Sequence, residues 1–268
     1  MNIIDFLKEQ KKWTVSKYKL WKAYHSDYEE YNHWQYHNPN VKTQNALEAK
    51  ILRQTHVIEK GMSLSHPREK FGVQKALELL DFIDEFVECD IKDSVPVLNA
   101  LGVIKAYLAY HEERGFKPED VLVRFEKYSE YLLTEEKYGI VEVNKADMEK
   151  KVHSSFPEFF MSRHSVRQFS ERTIDIEDIK KAVKLAMKAP SACNRQSCKA
   201  YFYQDKDVNK ELGKLIAGNT GFDGEVQNYI VVTSDMSAFY DPFERNQVYV
   251  DGGIFTMALV EALHYYGI

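Results

Sequence analysis

The chain has 268 residues, 44% of them hydrophobic and 29% charged, the balance of a globular protein long enough for one large or two ordinary domains. Thirty-six lysines and arginines against forty-one acids leave a net charge of −5, which argues against a nucleic-acid partner. No apolar run approaches the roughly 20 residues that span a bilayer, so no membrane partner is expected, and three cysteines do not make a disulfide framework.

The N-terminus, Met1 to Lys8, lacks signal-peptide architecture, and a reducing cytoplasm is the expected setting. A tyrosine-rich stretch follows from Tyr18 to Tyr36. Its lysines are matched by Asp27, Glu29 and Glu30, so helix packing against a second domain is expected rather than stacking on bases. His33 and His37 share a face at helical spacing, but without further ligands they form no metal site, and none is expected elsewhere. Apolar residues at helical spacing predict helices over Thr43–Glu59, over Lys75–Glu88 and after Pro96. The inward faces are Leu47, Ile51 and Ile58; Leu79, Leu80, Ile83 and Phe86; and Val97, Leu101, Ile104 and Leu108. A further helix starts near Pro118, with Leu122, Phe125, Tyr128 and Leu132 inward. The linker His56–Gly72 is dense in ionisable groups. It reads either as a docking loop or as a helix C-cap at Gly61 followed by a solvated turn. Together these elements predict an all-helical domain over residues 1–152.

The periodicity changes beyond residue 152, where a second domain is placed over 153–268. A short apolar helix over Ser155–Met161 leads into Arg163-His164-Ser165-Val166-Arg167-Gln168-Phe169. An amphipathic helix then carries Ile176, Ile179 and Val183, with Asp175 as N-cap and Pro190 as stop. It ends in Ala189-Pro190-Ser191-Ala192-Cys193-Asn194-Arg195-Gln196. The first cluster offers two guanidinium groups and a hydroxyl, which suit a phosphate. The second offers a hydroxyl and two carboxamides on a bend, which suit the polar edge of a planar ligand. Strands are predicted at Ala200–Tyr203 and Tyr229–Thr233, the second buried, with a helix over Val208–Leu215 between them. Gly252–Tyr265 reads as a helix apolar on every side, suited to a core or an interface. The glycine-rich segment Gly218–Gly224 has neither the spacing nor the preceding strand of a dinucleotide fingerprint. The domain is α+β, and it has no readable Ser-His-Asp triad.

Arg-x-Ser-x-Arg-x-Phe, a helix, then Ala-Pro-Ser-x-x-Asn-x-Gln resembles the nitroreductase family of flavoproteins. The resemblance implies a nitroreductase-like FMN-binding fold preceded by the helical domain. It implies an FMN phosphate held by Arg163, Ser165 and Arg167, with His164 in the same motif. Pro190, Ser191, Asn194 and Gln196 would reach the flavin from the other subunit of a homodimer, and Asn219 would approach its ring. The implied activity is hydride transfer from NADH or NADPH through FMN to an organic acceptor, with no general acid assigned. The alternatives are a flavin-dependent dehydrogenase or dehalogenase of the same fold, or a non-catalytic helical interaction protein. The family's usual Pro-Trp after the glutamine is replaced here by Ser197-Cys198. Family members continue past Ile268, so the resemblance also implies an incomplete domain. Such a domain should bind FMN weakly and expose apolar surface around Ile254, Leu259 and Leu263.

Overall fold

The computed structural model describes residues 3–34, 43–88, 94–128, 131, 138–239 and 242–268. The chain divides into two compact units. One comprises residues 31–142, and the other joins residues 1–30 to 143–268. A division at residue 152 would instead group residues 1–30 and 143–152 with the helical part.

The unit of residues 31–142 is built on helices α2 (Gln44–Met62), α3 (Val73–Glu88), α4 (Val95–Glu112) and α5 (Glu119–Glu126). α1 (Ile3–Trp34) precedes them, and its residues to Glu30 belong with the other unit. Each start has a local cause. The Thr43 hydroxyl accepts from the backbone N–H of Ala46 at 3.2 Å, and Ser94 caps α4 ahead of Pro96. The Ser94 hydroxyl also donates to Glu48 at 2.8 Å, which ties α4 to α2. The predicted inward faces form one apolar core, in which Ile51, Leu79, Leu80, Ile83, Phe86, Leu101 and Ile104 are fully buried. α5 ends at Glu126, before Tyr128, while Leu132 and His37 lie outside the described residues.

The linker after α2 turns on a close approach. Gly61 does not cap α2, which continues to Met62. A Cβ on Gly61 would meet the Phe71 ring at 2.4 Å, so the missing side chain is the notch that admits this ring. Tyr107, Tyr110 and His111 surround the ring on other sides, with centroids at 5.8, 5.8 and 4.9 Å. The Phe71 carbonyl accepts from the Tyr107 hydroxyl at 2.6 Å and lies 3.2 Å from His111 Nε2. Burial lowers the His111 pKa, so the ring is neutral and its Nε2–H donates to this carbonyl. The end of the linker is therefore bound into the core by an aromatic cluster and two hydrogen bonds, where a solvated turn was one expectation.

In the other unit, α6 (Lys145–Lys151) and α7 (Phe156–Ser162) lead into an extended segment, followed by α8 (Ile176–Ala186). Strand β1 (Cys198–Tyr203), α9 (Lys206–Leu215), strand β2 (Tyr229–Ser234) and α10 (Gln247–Tyr265) complete an α+β arrangement. β1 and β2 pair antiparallel, with Cys198 opposite Ser234 and Tyr203 opposite Tyr229. β2 is half-buried rather than buried, because the two strands form the whole sheet among the described residues. α8 and α10 cover that sheet through Ala182, Ala186, Phe255, Leu259 and Ala262. α10 is not covered on every side: Ile254 and Met257 are exposed, whereas Leu259, expected to be exposed, is buried. α1 meets this unit through Asp27, which accepts from Arg245 Nε at 2.8 Å and Nη2 at 2.5 Å. The tyrosines do not supply the expected packing, since Tyr18, Tyr24, Tyr28 and Tyr31 are all exposed.

The Gly61 notch can be tested by sign. On helix propensity alone Gly61→Ala should stabilise α2 by about 1 kcal/mol. Overpacking against a ring that cannot retreat should instead destabilise by about 1–3 kcal/mol. Urea unfolding should show a lower midpoint for the variant; a raised midpoint would remove the notch from the account.

Candidate functional site

The first polar cluster begins where α7 ends. Glu158 accepts from the Ser155 hydroxyl at 2.8 Å and from its backbone N–H at 3.3 Å, which fixes the start of α7. The Ser162 hydroxyl donates to the Phe159 carbonyl at 2.7 Å. Its only proton is then committed, so His264 Nε2, 2.8 Å away, carries the hydrogen and donates to it. Burial is the largest cause lowering the His264 pKa, with Arg163 and His164 acting in the same direction and Glu261 opposing. The imidazole is thus a neutral strut between α7 and α10.

Arg163 follows at the C-terminal boundary of α7, and its Nε lies 3.5 Å from Glu261 Oε1 on α10. Both Glu261 oxygens are shielded from solvent and form no hydrogen bond, so the ion pair with Arg163 is what offsets the burial of this carboxylate. His164, Ser165 and Val166 are exposed, and Arg167 is half-buried. The segment is held further along by Phe169, which stacks on Phe222 with centroids 6.1 Å apart. Arg172 Nη2 donates to the Gly267 carbonyl at 3.1 Å. Phe222 belongs to the glycine-rich segment, so this segment and the arginine motif meet. Asn219 in that segment is half-buried, and its Nδ2 donates to the Gly213 carbonyl at 2.6 Å, closing the end of α9.

The second polar cluster lies at the far end of α8. The Asp175 carboxylate caps α8 by accepting from Glu177 N–H at 2.9 Å, and the helix ends at Ala186, four residues before Pro190. Ala192–Asn194 then form a 3₁₀ turn. Cys193, Asn194 and Gln196 all have left-handed backbones, with φ of 52°, 55° and 48°. Left-handed non-glycine residues persist only where the surroundings over-determine them, and here a set of side-chain contacts does so. The Ser191 hydroxyl accepts from Gln196 N–H at 3.0 Å, and Gln196 Nε2 donates to Asn194 Oδ1 at 3.0 Å. Asp251, buried on α10, accepts from Ala192 N–H at 3.1 Å and from Gln247 Nε2 at 2.8 Å. Arg195 donates to Glu244 through both terminal nitrogens, to the Ala238 carbonyl at 2.9 Å, and lies over the Phe239 ring. Pro190, Asn194 and Gln196 remain exposed on the outside of the bend, with Ser191 half-buried.

Neither motif signalled Asp251, Glu244, Glu261 or His264, because each acts across a long sequence separation. An acid inside an otherwise apolar helix was the readable sign for Glu261, whereas Asp251 lies one residue ahead of the predicted helix. Asp251 and Glu261 are ten residues apart on α10, about 15 Å at 1.5 Å per residue. The two clusters therefore dock at opposite ends of one helix, not around one point. Among the described residues no group of three His, Cys, Asp or Glu could hold a metal ion, and no helix is long and apolar enough to cross a membrane.

Residues 160–265 match the model of the nitroreductase family, so both clusters fall inside the matched stretch. No curated protein matches the chain. Among solved structures it is similar to a candidate nitroreductase in complex with FMN from Desulfovibrio desulfuricans. Identity is 16%, over 46% of this chain and 64% of that one, with a TM-score of 0.34. It is also similar to the nitroreductase family protein from Streptococcus pneumoniae TIGR4, at 21% identity over 41% and 72% of the two chains, TM-score 0.34. A candidate NADH oxidase from Clostridium acetobutylicum is similar at 20% identity over 39% and 61%, TM-score 0.34. The chain thus spans less than two thirds of the first of these structures.

If Asp251 holds the left-handed bend, Asp251→Ala strands the Ala192 N–H and should destabilise the unit by about 1–3 kcal/mol. Amide exchange at Ala192 should accelerate more than exchange in the middle of α8. Unchanged exchange at Ala192 would show that the bend holds its shape without the carboxylate.

Proposed function

We propose, from the nitroreductase-family domain at residues 160–265, that the chain is an FMN-dependent oxidoreductase. It would take hydride from NADH or NADPH and deliver electrons to an organic acceptor. FMN, when bound, supplies the two-electron chemistry, and the protein supplies binding, orientation and electrostatics. Arg163 and Arg167 would carry the phosphate, with Ser165 as hydroxyl donor. The residues fit that role: Arg167 has no carboxylate partner among the described residues. The Arg163 guanidinium lies 3.5 Å from Glu261 without a hydrogen bond to it, which leaves its donors for a phosphate.

The observation that carries the reading is the second bend. Three left-handed residues, tied down by Asp251 and Arg195, present the carboxamides of Asn194 and Gln196 outward in a fixed geometry, where among the described residues they bond only to each other. Such preorganised carboxamides suit the polar edge of a flavin and could stabilise negative charge on it. Because the two clusters sit at opposite ends of α10, a homodimer is part of the proposal. The bend of one copy would meet the arginine motif of the other. Asn219 donates its Nδ2 to Gly213, so an approach to the ring would use its Oδ1 or follow a change of rotamer.

Arg167→Ala removes one guanidinium from a dianion, at about 1.5–3 kcal/mol per charged hydrogen bond. FMN titration followed by flavin fluorescence should give at least about tenfold weaker binding, while the urea midpoint stays unchanged. Superimposable titrations for variant and parent would withdraw Arg167 from the phosphate site.

A further inference from the structure

α1 is a helix of 32 residues, and among its described side chains only Ser16, Ala23 and Asp27 are partly buried. These three lie along one side, and the Asp27–Arg245 pair fixes that side to the unit. The opposite side, at about 100° per residue, carries Ile3, Leu7, Tyr18, Trp21 and Tyr28, all more than half exposed. Tyr18, Trp21 and His25 stack in a row on this outer side, with centroid separations of 6.2 and 5.3 Å.

The charge on the same helix is lopsided. From Ile3 to Lys22 there are six lysines, Lys8, Lys11, Lys12, Lys17, Lys19 and Lys22, against Asp5 and Glu9. This stretch is basic although the whole chain has a net charge of −5. Among the described residues no ion pair engages any of the six. Lys8, Lys11, Lys12 and Lys19 line an open groove of about 470 Å³ closed at one side by Pro242. Lys17 lies on the other flank, its ammonium 3.6 Å from the centroid of the Trp13 ring.

We propose that α1 docks the protein on an anionic lipid surface. Its outer aromatic face would lie in the headgroup layer, with the lysines on its flanks gathering lipid phosphates. A polar flank rich in lysine beside Trp, Tyr and Leu is the composition of a helix that lies in the interface plane rather than spanning the bilayer. A second copy of α1 is the weaker occupant. Thr14 falls in the middle of the apolar side, with Gln10 at its edge and Lys17 on the adjoining flank, so a dry helix–helix seam would bury polar groups beside an ammonium. At a lipid surface the long lysine stem reaches back to water. The expectation that the protein has no membrane partner rested on the lack of a spanning segment, which does not exclude this mode.

The sequence provides its own probe. The chain has three tryptophans, Trp13, Trp21 and Trp34, and all lie on α1. Tryptophan emission of the intact protein therefore reports this helix alone. With vesicles of phosphatidylcholine containing a quarter phosphatidylglycerol, emission should shift to the blue and the protein should sediment with the vesicles. With phosphatidylcholine alone, binding should be at least about tenfold weaker, and about 1 M salt, where the screening length is about 3 Å, should release it. The quadruple variant Lys8→Gln, Lys11→Gln, Lys12→Gln and Lys19→Gln should lose at least tenfold in vesicle binding at unchanged helix content. Equal binding to both vesicle types, or no shift with either, would overturn the proposal. So would a blue shift that follows protein concentration without vesicles, which would assign the face to a second copy.

Discussion

The C-terminal unit depends on two carboxylates carried by an apolar helix. α10 buries Phe255, Leu259 and Ala262 against α8 and the sheet, and on the same helix it places Asp251 and Glu261. A buried carboxylate is costly unless it is paired or hydrogen-bonded. Asp251 meets that requirement with the Ala192 N–H and Gln247, and Glu261 with Arg163. The requirement runs both ways. The backbone bend after Pro190 and the arginine segment after α7 are each fixed by a group that would be destabilising without them. Apolar packing sets the position of α10, and α10 in turn sets the positions of both polar clusters.

The helices were legible because their apolar residues repeat at the helical period. α8 shows this most plainly, with Asp175 as the cap and Ile179 buried and Val183 half-buried where the pattern puts them, although Ile176 at the first turn is exposed. The two polar clusters were legible as composition, since residue types at fixed spacing carry across to structure when a helix of known length separates them. What joins the clusters to the rest was not. Arg195–Glu244, Ala192–Asp251 and Arg163–Glu261 span long separations, and no local period encodes such pairs. The left-handed residues at 193, 194 and 196 were hidden for another reason, since none is glycine.

Gly61 and α1 were misread in opposite directions. Gly61 looked like a helix terminus because glycine usually serves there, yet its role is to leave space for the Phe71 ring. The tyrosines of α1 looked like packing residues because aromatics usually bury area, yet the helix turns Asp27 toward Arg245 and leaves Tyr18, Tyr24, Tyr28 and Tyr31 exposed. In both cases a residue type was assigned its commonest use, and a long-range contact, or the lack of one, decided otherwise.

The central claim is that the two clusters, brought together by pairing of two copies, form one flavin site. The most direct measurement is visible absorbance of the purified chain after incubation with excess FMN and desalting, with molar mass measured on the same elution. The account predicts bound flavin that elutes with a dimer and is lost in parallel with the dimer on dilution. A protein that is colourless after reconstitution, or one that carries flavin as a monomer, would contradict it.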